Sequence, residues 1–235
     1  MQLFYNKSLT VNDKLLTFDK VESRHIVKVL RKKEGVILNI TNGRGLLFKG
    51  EIIDANEKHC TVSLIAIEKQ EKEHPYKLHI AIAPTKLNDR FEWFLEKVTE
   101  IGIDQITPLL CDHSERKVIK PERLEKVIVT AAKQSLHFNF PVLNKLTSFK
   151  DFIYQENKAL KLIAHCEEGV KVLLKNTVKP KQNICILIGP EGDFSSSEIK
   201  EALKNDFKPV SLGNSRLRTE TAGVVACHSV AFINE

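Results

Sequence analysis

The first 70 residues alternate between short apolar segments and glycine-containing turns. Apolar segments at 36–40 and 46–53 flank the sequence Thr41-Asn42-Gly43-Arg44-Gly45, and such spacing favours a hairpin connection. A third alternating segment follows at 59–65. Short strands joined by tight turns predict a small β-barrel or open sandwich, interrupted by a short helix that carries basic side chains.

Strands and helices alternate from residue 77 onwards. An apolar segment at 78–83 predicts a buried strand, and residues 89–101 carry apolar side chains at helical spacing before Gly102. Similar spacing predicts that Phe91 and Trp93 lie in the core. Further strands are predicted at 106–110 and 160–166, and further helices after Pro121 and near 148–156. The alternation predicts an α/β domain with a parallel sheet covered by helices.

A charged segment at 68–75 separates these two patterns and ends in proline. Segments that lack large apolar side chains commonly link domains. We therefore predict an N-terminal domain over residues 1–70 and a C-terminal domain over residues 77–235.

The end of the chain contains two glycine turns, each between a strand and a helix. The apolar strand 184–188 leads into Gly189-Pro190-Glu191-Gly192, and a capping box at Ser195 and Glu198 predicts a helix to about residue 205. A second strand at 209–212 is followed by Gly213, the loop 214–218 and a final helix that Thr219 is expected to cap. Such turns at the carboxyl ends of strands favour a small-ligand site, although the glycines could serve only tight turns. The phosphate-loop, dinucleotide and nucleophile-elbow motifs are absent from the sequence.

The final helix, at 219–233, is apolar on nearly every side. It is too short to span a membrane, so we expect burial on more than one face. Its apolar surface is also a candidate dimer interface, with simple burial inside the chain as the alternative.

A basic segment near the N-terminus says more about possible partners than the overall charge does. The net charge is +6 with a pI of about 9.0, which only weakly favours a polyanionic partner. Between Lys20 and Lys33, however, six basic residues accompany one acidic residue. This distribution favours a polyanionic partner for the segment, although a solvated charged helix face is the alternative.

Cysteine and histidine usage gives no sign of a metal site or a disulfide framework. The five cysteines are widely spaced without a CxxC pair, and Cys185 and Cys227 lie in apolar segments typical of the core. No apolar run approaches the roughly 20 residues of a membrane span, and the N-terminus lacks a signal-peptide layout. We expect a cytoplasmic protein without a metal.

Two segments resemble the cofactor loops of the RsmE family, the 16S ribosomal RNA uridine N3-methyltransferases of the SPOUT superfamily. Residues 188–195 (IGPEGDFS) are similar to the first loop, and residues 212–222 (LGNSRLRTETA) are similar to the second. Segments 24–31, 86–103 and 131–135 also fit the family, so the similarity covers the whole chain.

The resemblance implies a PUA-like RNA-binding β-barrel at 1–70 and a SPOUT domain whose last part, about 184–235, forms a deep trefoil knot. It also implies a homodimer, S-adenosyl-L-methionine (SAM) as methyl donor, and the 16S rRNA of the small ribosomal subunit as partner. The cofactor-site residues that it implies are Gly189, Glu191, Gly192, Leu212, Gly213, Leu217 and Arg218.

Two positions depart from the family pattern. Asp193 stands where the family commonly has glycine, so the turn must differ or hold an aspartate at an unusual backbone angle. Leu136 and His137 stand where a basic residue is usual, which makes a guanidinium contact to RNA there doubtful.

Methyl transfer to uracil N3 needs help because the neutral base bears a proton there. A base, or a cation that stabilises the developing anion, should accelerate it. We predict Arg218 for the electrostatic role and Glu220 as a second catalytic candidate. Alternatively, Arg218 caps a carbonyl or pairs with Glu220, and Glu220 only interacts with the helix dipole.

RNA contacts are expected from basic side chains in both predicted domains, where they would position RNA without selecting a base. The candidates are Arg24, Lys28, Arg31 and Lys32, and a second set of Lys86, Arg90, Arg116 and Lys117. Two other functions stay open: a methyltransferase of another RNA, and a non-catalytic PUA-type RNA-binding module in which Asp193 has destroyed the SAM pocket.

Overall fold

A computed structural model of the protein describes residues 1–72 and 74–235. Glu73, in the charged segment that is predicted to link the domains, lies outside the described residues. The chain forms two compact units. The first contains residues 1–72 and 132–140, and the second contains residues 74–131 and 141–235. Whether 1–70 and 77–235 fold as separate domains stays a prediction.

The first unit is built on a five-stranded sheet in the order β1-β3-β4-β5-β2. β1 pairs with β3 in parallel, and the other neighbours are antiparallel. Fully buried Phe4, Ile26, Ile40 and Phe48 fill its core. The elements are β1 (Leu3–Tyr5), β2 (Leu15–Thr17), α1 (Lys20–Arg24), a π-helix (His25–Val29), β3 (Ile37–Thr41), β4 (Leu46–Asp54) and β5 (Thr61–Lys69).

The second unit has a sheet in the order β11-β13-β10-β12-β6-β7-β8, in which every pair of neighbours is parallel. This confirms the predicted α/β class. The elements are β6 (Leu78–Ile82), α2 (Asn88–Ile101), β7 (Gln105–Leu110), α3 (Pro121–Gln134), β8 (Val142–Leu143), β9 (Thr147–Ser148), α4 (Phe149–Ile153), β10 (Leu160–Ala164), β11 (Val172–Leu173), α5 (Leu174–Thr177), β12 (Ile184–Ile188), α6 (Ser196–Lys204), β13 (Lys208–Ser211) and α7 (Thr219–Asn234).

Strand β12 lies near the middle of this sheet, and all five of its residues are buried. Its last residue, Ile188, is paired with Ala164 of β10 and with Ile82 of β6. Val210 of β13 is paired with Ala164 from the other side. The carboxyl ends of β13, β10 and β12 therefore lie side by side, which fixes where the loops that follow them begin.

Helices α2 and α7 pack closely against each other and against β6. A Cβ atom on Gly223 would lie 2.5 Å from Cε2 of Phe94 and 2.9 Å from Cδ1 of Ile82, so only glycine fits at this crossing. Cys227 is wholly buried in the same contact, as the sequence predicts. The predicted burial of α7 is incomplete, because Phe232 near its end is 68% exposed.

The core prediction for α2 is right for Phe91 and wrong for Trp93. Phe91 is 2% exposed, whereas Trp93 is 43% exposed. The buried residues Phe91, Phe94, Leu95 and Val98 follow the i, i+3, i+4, i+7 spacing of one helix face, and position 93 lies off that face. None of the helices described is both long and apolar enough to cross a bilayer.

Candidate functional site

A crevice lies at the carboxyl ends of β10, β12 and β13, as the glycine turns predict. Its first cavity, of about 340 Å³, is lined by Gly189 and Glu191 from the loop after β12 and by Leu217 and Arg218 from the loop after β13. A second cavity, of about 500 Å³, is lined by Leu212, Gly213 and again Leu217. The two share Ala164, Cys166, Arg216, Leu217 and Ala222.

Six of the seven predicted cofactor residues therefore line the crevice, and Gly192 does not line either cavity. Gly192 instead lies against His113, whose Cβ would be 3.2 Å from a Cβ built on the glycine. Gly189 allows the turn itself, because a Cβ there would lie 3.1 Å from the backbone nitrogen of Phe194.

The two predicted loops are joined by a buried hydrogen bond. Thr219 Oγ1 donates to the carbonyl oxygen of Gly189 at 3.1 Å. The expectation that Thr219 caps α7 is wrong, because Arg218 occupies the N-cap position and makes no side-chain capping bond. The Thr219 hydroxyl instead binds the carbonyl of Gly189, which lies 30 positions away along the chain.

Sequence reasoning missed the third wall of the crevice, the loop after β10. His165, Cys166 and Lys171 line the second cavity, and Cys166 also lines the first. Lys171 Nζ donates to the carbonyls of His165 and Glu167 at 3.1 and 2.6 Å, which closes the loop on itself. The signal for this wall in the sequence is a histidine directly after an apolar strand.

His165 is a neutral side chain at this wall. Burial lowers the pKa of His165 below its usual value, and the nearby ammonium of Lys171 lowers it further. The neutral imidazole is therefore the favoured form at pH 7. Its Nδ1 is buried and has no hydrogen-bond partner among residues 1–72 and 74–235. The crevice thus contains an unused polar atom.

The carboxylates of the crevice are bound to main-chain groups. Glu191 Oε1 accepts from the backbone N–H of Lys86 at 2.9 Å. Asp193 has a positive φ of 64°, so the chain tolerates aspartate at the left-handed angle that the departure from glycine suggested. Its two oxygens accept from the N–H groups of Cys166 and Phe194.

The two catalytic candidates lie in different surroundings. Arg218 is exposed at the first cavity, and its guanidinium has no hydrogen-bond or ion-pair partner within the described parts of the chain. Glu220 is 6% exposed and does not line either cavity, and its Oε1 lies 3.8 Å from Nε of Arg90. The predicted pairing of Arg218 with Glu220 is therefore not formed. Glu220 Oε2 is buried without a partner among the residues described.

The basic candidates of the first unit are unpaired. Arg24, Lys28 and Arg31 are exposed and Lys32 is half-buried, and none of the four side chains has a protein partner in the described ranges. The short helix expected here changes from α to π after Arg24, with Leu30 N–H donating to His25 O at 2.9 Å. Arg31, two residues after the π-helix, has a φ of 53°.

In the second unit, three of the four basic candidates bind other parts of the protein. Arg116 donates to the main-chain carbonyls of Thr85 and Lys86. Lys86 Nζ pairs with Glu115 at 2.8 Å, and Arg90 contacts Glu220. Lys117 is exposed and has no such partner in the part of the chain that the structure describes.

Among the described residues, metal-ligating side chains are not grouped in a way that could hold an ion. Over residues 1–72 and 74–235, the structure has no cluster of three or more His, Cys, Asp or Glu side chains that could hold an ion. Of the five cysteines, Cys166 is exposed and the others are buried.

Comparisons with known proteins agree with this architecture. The sequence model of the family described as RNA methyltransferase domain matches residues 72–231, and that described as RNA methyltransferase PUA domain matches residues 18–65. The second match confirms the predicted PUA-like barrel. The trefoil knot stays a prediction.

Individual relatives match over nearly their full length. Ribosomal RNA small subunit methyltransferase E of Buchnera aphidicola is 33% identical over 87% of this chain and 83% of its own. The crystal structure of a probable rRNA-methyltransferase from Porphyromonas gingivalis is 42% identical, with a TM-score of 0.94 over 100% of this chain and 98% of its own. A putative methyltransferase from Legionella pneumophila, solved with bound SAM, is 27% identical, with a TM-score of 0.88 over 99% of this chain and 97% of its own. The resemblance seen in the glycine loops is confirmed, and the chain belongs to the ribosomal RNA small subunit methyltransferase E family of RNA methyltransferases.

Proposed function

We propose that the protein transfers a methyl group from SAM to N3 of a uridine in the 16S rRNA of the small ribosomal subunit, in the cytoplasm. The observation that carries the proposal is the crevice at the carboxyl ends of β10, β12 and β13. Its two glycine loops are joined through Thr219 and Gly189, and the free guanidinium of Arg218 lies at its edge. The relative from Buchnera aphidicola is named as a methyltransferase of small-subunit ribosomal RNA, which supports the choice of this RNA as substrate.

The lining of the crevice fits the chemistry of SAM. Gly213 lines the second cavity, and a Cβ built on it would meet no atom within 4 Å, so open space borders its main chain. Main-chain N–H and C=O groups suit the hydrogen-bonding edge of an adenine, and the relative from Legionella pneumophila binds SAM. Gly189, Glu191, Leu212, Gly213, Leu217 and Arg218 would hold the donor, and Gly192 would shape the loop.

Bound SAM supplies a methyl group on a sulfonium, which is already activated for displacement. The protein's task is to orient uracil N3 and to stabilise the charge that develops on the base. Glu191 and Asp193 are bound to main-chain N–H groups, whereas Arg218 has no partner among residues 1–72 and 74–235. We therefore assign Arg218 to the electrostatic role and give Glu220 the lesser one of orienting Arg90 and the first turn of α7.

Substitution of Arg218 tests this role. Loss of one preorganised donor to a developing anion slows catalysis by about 100-fold to 1,000-fold, and we expect that loss for Arg218→Ala in single-turnover methylation of small ribosomal subunits at saturating SAM. Arg216→Ala is the matched control, since Arg216 lines the same cavity and is exposed. An Arg218→Ala rate equal to that of Arg216→Ala would remove Arg218 from the mechanism.

RNA binding is assigned to Arg24, Lys28, Arg31 and Lys32 in the first unit, and to Lys117 among the second set. Because these side chains have no partner among the residues that the structure describes, they are available to phosphates. Lys86, Arg90 and Arg116 would contribute positive charge while they hold their protein partners. Arg24→Glu with Lys28→Glu should lower affinity for the subunit about tenfold and flatten its salt dependence. Lys14→Glu with Lys58→Glu makes the same charge change at exposed lysines outside the basic segment, and equal losses in both pairs would refute the assignment.

A homodimer formed through α7 is part of the proposal. Phe232 is 68% exposed and His228 is exposed, on a helix whose opposite face is buried. An exposed aromatic side chain on an apolar helix is typical of an interface. Phe232→Asp should convert the dimer to a monomer in sedimentation velocity, and an unchanged sedimentation coefficient would contradict this surface.

A further inference from the structure

Asp193 ends the turn that follows β12. Its N–H donates to the carbonyl oxygen of Pro190 at 2.9 Å, and its φ of 64° is in the left-handed region. Aspartate visits this region more readily than most residues other than glycine. The side chain leaves the turn on the side of the crevice, where Asp193 lines the first cavity.

The carboxylate joins two loops that are distant in sequence. Oδ2 accepts from the N–H of Cys166 at 2.7 Å, and Oδ1 accepts from the N–H of Phe194 at 2.9 Å. Cys166 is the second residue after β10, and β10 is the neighbour of β12 in the sheet. One side chain thus binds the loop after β10 to the loop after β12, which we call the Asp193 bridge.

The loop after β10 has few other attachments to the rest of the unit. Ser196 Oγ donates to Glu167 Oε1 at 2.7 Å, between two exposed residues. The bonds of Lys171 to His165 and Glu167 lie within the loop itself. The Asp193 bridge is therefore the attachment closest to the cavity, since Asp193 and Cys166 both line it, and it binds the main chain of the loop.

We infer that Asp193 is a positioning residue for the methyl donor: the Asp193 bridge holds the loop after β10 in place as a wall of the crevice. The inference rests on the proposed function and goes beyond it, because it assigns a role to the residue that replaces the usual glycine. Without the bridge, the wall that carries His165 and Cys166 would have to be ordered when the donor binds, and this ordering would weaken binding.

Two substitutions distinguish the effect of the bridging hydrogen bonds on SAM binding from the effects of the backbone angle and of the charge. Asp193→Gly keeps the left-handed turn without strain and removes both acceptor oxygens. Asp193→Asn also tolerates the angle and retains one oxygen that can accept from Cys166, but it removes the charge. We expect Asp193→Gly to raise the dissociation constant for SAM about tenfold, with Asp193→Asn within about threefold of the unchanged protein. The SAM concentration that gives half of the maximal methylation rate should rise for Asp193→Gly and change little for Asp193→Asn.

Calorimetric titration with SAM is paired with hydrogen exchange at the Cys166 amide. This amide should exchange at least about tenfold faster in Asp193→Gly than in the unchanged protein. Glu168→Gln is the matched control, since it removes a carboxylate from an exposed position of the same loop. Circular dichroism reports whether each variant is folded. If the Cys166 amide of the unchanged protein exchanges as fast as an unprotected amide, that result alone refutes the bridge.

The outcomes distinguish this inference from the proposed function. If the unchanged protein binds SAM and Asp193→Gly binds it equally well, the bridge has no positioning role and the proposed function stands. If Asp193→Asn loses as much affinity as Asp193→Gly, the charge acts instead of the bridge, and the inference is wrong. If the unchanged protein binds no SAM, the proposed function fails and the inference fails with it.

Discussion

Replacement of Gly223 by alanine in α7 should have two opposing effects on the stability of the protein. Alanine is favoured over glycine inside a helix by about 1 kcal/mol, so propensity alone predicts a more stable protein. The added Cβ, however, would lie 2.5 and 2.7 Å from two atoms of the Phe94 ring and 2.9 Å from Ile82. Both side chains are wholly buried, so neither can move out into solvent.

The steric cost should exceed the gain in propensity. Overpacking of a core costs about 1–3 kcal/mol, and three contacts below 3.0 Å against buried atoms favour the upper end of that range. Subtraction of the propensity gain leaves a net destabilisation of about 2 kcal/mol for Gly223→Ala. Because α7 carries Thr219 and Arg218 at its start, a displaced helix should also weaken SAM binding.

Urea unfolding measures this difference directly. Ser229→Ala, at a half-buried position of the same helix, is the control and should be neutral or slightly stabilising. Phe94→Leu removes the ring that the new methyl meets, so the double variant should recover about 1 kcal/mol relative to additivity. A Gly223→Ala protein as stable as the unchanged protein, or a double variant that is strictly additive, would refute the close-packing argument.

Three further predictions concern single hydrogen-bonded groups. Thr219→Val should lower the free energy of unfolding by about 1–3 kcal/mol and weaken SAM binding in calorimetry, because the carbonyl of Gly189 loses its buried donor; unchanged values would contradict the link between the loops. Burial lowers the pKa of His79 from 6.5 to about 4, so its contribution to stability is present above pH 6.5 and is lost as the pH falls towards 4. Urea titrations should show a loss of about 2 kcal/mol at pH 5 that His79→Gln lacks, and equal losses in both proteins would count against this assignment. Arg116→Met should destabilise the fold by about 1–3 kcal/mol in urea unfolding, since the guanidinium binds two main-chain carbonyls; an unchanged free energy of unfolding would contradict this structural role.

Local patterns predicted the elements whose signals are contained in neighbouring residues. The apolar spacing of 89–101 predicted α2, and Gly102 ends it with a φ of 106°. The capping box of Ser195 and Glu198 is formed at the start of α6. Strands β1 and β2 escaped prediction because each has three residues, too few for a recognisable period.

The candidate site was predictable only where glycine and strand ends signal it. The positions of Gly189 and Gly213 marked two walls of the crevice, and the loop after β10 carries no such mark at its start. The partners of Arg116 and Thr219 could not be predicted, because they lie 30 or more positions away along the chain. A basic residue looks the same in sequence whether it faces phosphate or a carbonyl, and only the packed structure separates the two.

The distribution of thiols gives the protein a built-in reporter. Four cysteines are buried, and Cys166 is exposed on a wall shared by both cavities. An alkylating reagent should therefore label one position first, and any molecule seated in the crevice should slow that labelling by shielding the sulfur. Occupancy could then be followed by intact mass alone, without isotopes, RNA or turnover.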